Sequence, residues 1–153
     1  MNSQRLLELL EGVRSGAVDL DSAREEISRP PFVDTQEARV DTHRALRQGI
    51  PEVIYGESKT AEQIVEVSRA LQSAGQEVLA TRVDEEKGAD ILRALPEAEY
   101  DPVARLVWLG SAEVPLQGKG TILVVSAGTA DLPVAAEAQR VAERFGNKVE
   151  LLQ

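Results

Sequence analysis

The stretch that most constrains this sequence is Thr121-Ile-Leu-Val-Val125, an apolar run with no polar alternation that leads directly into Ser126-Ala-Gly-Thr-Ala-Asp-Leu-Pro133. A strand without a polar face is expected to be covered on both sides, as in a parallel sheet flanked by helices. The next segment, Asp131 to Phe145, places Val134, Ala138, Val141 and Phe145 on one helical face. Gly146 is positioned to stop that helix, and Val149-Glu-Leu-Leu152 reads as a further strand.

The chain upstream tells a similar story. Leu6, Leu9, Leu10 and Val13 recur at helical spacing before Gly16, and a short second helix is expected from Leu20 to Ile27 with Asp19 or Asp21 as cap. Arg29-Pro30-Pro31-Phe32 then breaks the chain and reads as a linker. From Ile50 the pattern changes. Val53-Ile-Tyr55 predicts a strand, Thr60 caps a helix reaching Ala74, and Val78 to Arg82 predicts the next strand. Glu85 to Leu95 is helical up to Pro96, and Ala104 to Leu109 supplies a third strand. This βαβαβ order predicts an α/β fold with a parallel sheet.

Composition narrows the function classes. With 26 acidic residues against 17 basic ones, the net charge of −9 disfavours nucleic acid and acidic membranes as partners. No cysteine is present, which excludes disulfides, thiolate metal sites and a cysteine nucleophile within these residues. A single histidine makes zinc an unattractive ligand. No segment approaches the roughly 18 apolar residues of a membrane span, and no signal-peptide core is visible, so the expected location is cytoplasmic.

Three places carry candidate chemistry. The Ser126–Pro133 loop joins a buried strand to a helix start, where Gly128 permits a tight turn and free N–H groups attract an anion. Ser126 and Thr129 offer hydroxyls, while Asp131 is placed to cap the helix, bind a ribose hydroxyl or hold a metal. A plain strand–helix turn with an Asp cap is the alternative. Arg39, Arg44 and Arg47 with His43 form a dense basic segment in an acidic chain, suited to phosphate or carboxylate, or else to internal ion pairs. Arg82 ends a predicted strand, where parallel-sheet ligands bind, and is otherwise a surface arginine. Glu137 reads as a surface carboxylate and Trp108 as core. Gly118-Lys-Gly-Thr121 is no Walker loop, because it precedes its strand and lacks Ser or Thr after the lysine.

The string from Ala38 to Thr60, then Leu79-Ala-Thr-Arg82, then Ser126 to Ala138, resembles the front of the LarB family. These are enzymes of nickel-pincer cofactor biosynthesis, related to the PurE-type aminoimidazole ribonucleotide carboxylases. The resemblance implies carboxylation of the pyridinium ring of nicotinic acid adenine dinucleotide, with carbon dioxide or bicarbonate as co-substrate. Hydrolysis of the phosphoanhydride then releases AMP. It implies a helical lead-in, a small parallel lobe over residues 1–115, and the first βαβ of a three-layer, flavodoxin-like carboxylase domain over 116–153. It also implies octameric assembly. By the same resemblance, Gly128, Thr129, Ala130 and Asp131 bind phosphate and ribose; the residues themselves add the Ser126 hydroxyl and make Asp131 the candidate catalytic group and a Mg2+ ligand. His43, Arg44, Arg47 and Arg82 form a second anion-binding set. Ala130 stands where the carboxylases carry a serine, so only its backbone N–H can donate. The family's nucleophilic cysteine and its His-Arg loop have no counterpart here, and the chain reads as a truncated front part. The competing expectation is a non-catalytic nucleotide-binding or assembly module. A third is a phosphate-binding enzyme of different chemistry using Asp131 and His43.

Overall fold

The computed structural model describes residues 3–35, 38–111 and 113–153. Two helices, α1 (Ser3–Ser15) and α2 (Leu20–Ile27), lead into a hairpin of β1 (Phe32–Asp34) and β2 (Arg39–Asp41). The short helix α3 (Arg44–Gln48) follows. The body is β3 (Val53–Tyr55), α4 (Ala61–Ser73), β4 (Val78–Thr81), α5 (Glu85–Ala94), β5 (Glu99–Asp101) and β6 (Leu106–Leu109). The last unit is β7 (Thr121–Val125), α6 (Leu132–Arg144) and β8 (Lys148–Leu152).

The α/β class is as expected, but the third strand enters reversed. The sheet order is β3-β4-β6-β5, with β3 and β4 parallel and β6 antiparallel to both of its neighbours. Helix α5 does connect parallel strands, yet the strand it reaches is β5 at the edge, two positions from β4. The gap is then filled by β6, folded back from β5. The Asp101 carboxylate explains the reversal. It accepts the N–H groups of Val103 and Ala104, both at 3.0 Å, and so closes a tight turn around Pro102.

The Pro30-Pro31 segment is likewise no free linker. The Pro31 carbonyl accepts the Thr42 N–H at 2.8 Å, and β1 pairs with β2 in register Val33 to Val40. That closure buries Val40 against the sheet core.

Local signals account for the helices. Thr60 and Gln63 form a reciprocal capping box at the start of α4, and Ile64, Val67 and Leu71 point inward. Asp84 caps α5 through the Lys87 N–H at 2.9 Å. Both helices cover one face of the sheet, where Ile54, Val78, Ala80, Val107 and Leu109 meet them. The opposite face carries Leu79, Leu106 and Trp108, and these pack against Ala136 and Val141 of α6 and Phe145 at its end. Each fully buried side chain of that size contributes about 1.5–3 kcal/mol.

Two expectations about the last unit need correction. Val134 and Ala138 are exposed, whereas Ala135 and Ala136 are buried, because α6 meets both the four-stranded sheet and the β7–β8 pair. Strand β7 pairs only with β8 among the described residues, and Leu123 and Val125 on its outer face are 57% and 65% exposed. Its apolar run is therefore covered on the α6 side alone.

Gly88 offers a test of this packing. Alanine in place of an interior helix glycine normally gains about 1 kcal/mol, but a Cβ here would lie 2.8 Å from the Tyr100 ring. That ring is fixed by its hydroxyl donating to the Val83 carbonyl at 3.1 Å. Overpacking costs about 1–3 kcal/mol, so Gly88→Ala is expected to lower the melting temperature, and a rise would refute the stated contact.

Candidate functional site

The Ser126–Pro133 loop is built from the end of β7. The Ser126 N–H donates to the Leu152 carbonyl at 3.0 Å, which extends the β7–β8 ladder by one residue. Gly128 then takes φ 111° and ψ 155°, a conformation that side chains rarely adopt. A Cβ at Gly128 would meet nothing within 4 Å, so the turn opens onto free space. Thr129–Asp131 form one turn of 3-10 helix, and α6 follows with Pro133 in its first turn. At this helix start the Asp131 N–H donates to the Gly128 carbonyl at 3.3 Å, the Leu132 N–H donates to the Thr129 carbonyl, and Pro133 has no N–H, so these three positions add the positive end of the dipole but no free donor.

Two polar groups in the loop stand out. The Ser126 hydroxyl oxygen is buried without a hydrogen-bond partner, a state that costs about 1–3 kcal/mol. Asp131 makes no capping bond, which removes one of the three roles open to it. The reason is local: the 3-10 turn puts Asp131 at φ −85° and ψ −14°, while a capping residue needs extended geometry. Its carboxylate is left at an exposed turn beside Thr129 and Ala130. Among the described residues no cluster of three or more carboxylate or imidazole groups could hold a metal ion.

The basic segment is arranged differently. Arg39 lies over the Phe32 ring at 4.6 Å and 3.6 Å from Asp34. Arg44 pairs with Glu52 at 3.6 Å, and Arg47 pairs with Asp41. Asp41 also accepts the His43 backbone N–H at 3.1 Å. The arginines thus engage carboxylates of their own segment. His43 lines a cleft of about 780 Å3 with Arg5, Glu26 and Phe32, and that cleft contains no residue of the 126–133 loop.

Arg82 is paired within the fold. It sits just past β4 with φ 57°, a left-handed conformation costing a non-glycine residue about 1–2 kcal/mol. Its Nε lies 2.7 Å from Oε2 of Glu137 on α6. That carboxylate raises the arginine's already high pKa. Glu137 is 19% exposed at its side chain, so it is a half-buried partner and not a free surface carboxylate. Sequence reasoning marked both residues separately, but strand alternation gave no sign that they meet. Trp108 is core as expected, with the Arg144 guanidinium 4.7 Å above its ring.

Comparison with known proteins bears on the front of the chain. The profile of the family described as "LarB/PurE-like N-terminal domain" matches residues 32–111, just over half the sequence. That span covers the β1–β2 hairpin and the four-stranded sheet and stops before β7. The uncharacterized protein MJ0165 of Methanocaldococcus jannaschii is 28% identical over 149 residues, covering 94% of this chain and 58% of that protein. The chain therefore spans less than two thirds of that relative's length.

The sole histidine permits a clean titration. Burial lowers the His43 pKa from its ordinary value of 6.5, Arg47 acts in the same direction, and Asp41 opposes. A lowered imidazole pKa means that the folded state favours the neutral ring. The associated stability is present above 6.5 and lost as pH falls through the folded pKa. The C2 proton in NMR is expected to titrate with a midpoint below 6.5; a midpoint at or above it would contradict the burial.

Proposed function

We propose a nucleotide-binding role for this chain, which belongs to the LarB/PurE-like N-terminal domain family. The observation that carries the proposal is the open turn at Gly128, with a partnerless Ser126 hydroxyl behind it and the start of a 13-residue helix ahead. A phosphate seated there would receive the backbone N–H groups of Gly128, Thr129 and Ala130, the Ser126 and Thr129 hydroxyls, and the helix dipole. Asp131 is suited to a ribose hydroxyl, since its carboxylate is not spent on capping. Ala130 contributes only its backbone. Asp131 would also serve as a Mg2+ ligand together with the bound phosphate, since magnesium sites commonly use one or two carboxylates plus substrate phosphates.

The finer reading is that the ligand is nicotinic acid adenine dinucleotide, as substrate of a LarB-type carboxylase and phosphoanhydride hydrolase that uses carbon dioxide or bicarbonate and assembles into homo-oligomers. A pyridinium ring is electron-poor and resists carbon dioxide as an electrophile until a nucleophile adds to it. These 153 residues hold no cysteine, so a thiolate for that step has to come from outside them. This favours, for these residues, a role in binding the nucleotide over carrying out the whole reaction.

Thermal shift and calorimetry with nicotinic acid adenine dinucleotide and with AMP test the reading. At a hundredfold excess over Kd, a ligand stabilises the fold by about 2.7 kcal/mol, so a clear rise in Tm is expected. Replacing Gly128 by alanine strains a turn that the free chain already holds, so it is expected to lower the Tm of the free chain and to weaken binding by roughly tenfold, about 1.4 kcal/mol. No rise in Tm with either nucleotide would overturn the binding role. Release of AMP by this chain alone, given bicarbonate and Mg2+, would overturn the restriction to binding.

A further inference from the structure

The chain leaving strand β4 makes an exchange of faces that its sequence does not announce. Val78 and Ala80 belong to the core under α4 and α5, and Leu79 belongs to the core under α6. Alternation would send residue 82 to the same side as 78 and 80. Instead Val83 fills that core, fully buried, and Arg82 reaches Glu137 on the opposite side. The left-handed backbone at Arg82 makes the exchange. It is held from both ends, since the Thr81 carbonyl accepts the Gly56 N–H at 2.8 Å and the Val83 N–H donates to the Arg105 carbonyl at 2.9 Å. Arg105 is itself left-handed, at φ 52°.

We propose that Arg82 is a positioning residue for the 126–133 loop, setting the placement of α6 through Glu137. Its effect on ligand binding rests on the nucleotide role given to that loop. The apolar contact under the first turns of α6 comes from Ala135 and Ala136, whose small side chains resist sliding or rotation weakly. Glu137 lies five residues past Leu132, about 8 Å along the axis at 1.5 Å per residue. A helix that short transmits a shift at Glu137 directly to the turn at Thr129–Asp131. The far end of α6 is tied by the opposite arrangement of charge. There Arg140 pairs with Asp101 at 2.9 Å and Arg144 with Glu99 at 3.2 Å. The sheet thus offers a cation near the loop and anions away from it, and α6 docks in one sense only.

The test uses the 15N-labelled chain and four variants: Arg82→Gly, Arg82→Lys, Glu137→Gln and the exchange Arg82→Glu with Glu137→Arg. Glycine tolerates the backbone at 82, so Arg82→Gly removes the guanidinium without straining the fold. In Arg82→Gly and Glu137→Gln, the amide signals of Gly128 and Thr129 are expected to shift. Affinity for nicotinic acid adenine dinucleotide is expected to fall about fivefold or more. The charge exchange is expected to bring both readouts back toward the parent, and Arg82→Lys to fall between. A pair that only stabilised the fold would lower Tm while leaving those two amide signals and the affinity unchanged, and that result would overturn the proposal, as would a charge exchange that restores neither readout. If the parent chain binds no dinucleotide, the loop's nucleotide role falls, while the Gly128 and Thr129 signals still decide the coupling.

Discussion

The four-stranded sheet is apolar on both faces, and helix α6 covers the second one. Helices α4 and α5, which lie between its strands in sequence, bury only the side carrying Ile54, Val78, Ala80 and Val107. Leu79, Leu106 and Trp108 would otherwise face water, and the contact that shields them comes from a helix beginning more than twenty residues after the last strand of that sheet. Buried apolar surface of this size is a main source of stability in a chain with only five aromatic residues. The same helix also carries the β7–β8 pair, so one element of 13 residues serves two sheets.

That double duty ties the front of the chain to the loop at 126–133. The family match ends at residue 111, yet the sheet it describes grips α6 through an arginine at one end and two carboxylates at the other. An apolar interface alone sets little direction, because dispersion and burial do not depend on orientation. Charges of opposite sense at the two ends do set it. They are partly exposed, so each contributes little to stability in isolation. Their larger effect is on which arrangement of α6 is adopted.

Much of this was legible in the residues and some was not. Thr60, the stop at Gly146, and the strands around Ile54, Leu79 and Leu123 all announce themselves through caps and apolar runs, because those signals are local. The β5–β6 hairpin was missed because Glu99-Tyr-Asp101 before a proline looks like loop, and its turn depends on a carboxylate bonding two amides. Two-sided burial is suggested by the longer apolar run of β7, whereas the strands covered on both faces are β4 and β6. In the candidate loop, Gly128 could be named from its neighbours, but the loss of the Asp131 cap follows from a 3-10 turn that no single residue specifies. The pairing of Arg82 with Glu137 depends on a left-handed residue that is not glycine, and sequence patterns give almost no warning of those.

Trp108 gives this architecture an optical property. It is the only tryptophan in the chain, 2% exposed, with its indole N–H donating to the Ser111 carbonyl at 3.2 Å and a guanidinium from α6 lying over the ring. Its emission therefore belongs to one interface, the one between the sheet and α6. Departure of the helix would uncover the indole and remove a nearby positive charge, shifting the fluorescence to the red without any label. Lifting of α6 can then be followed separately from melting of the core under α4 and α5, which contains no tryptophan and stays dark at that wavelength.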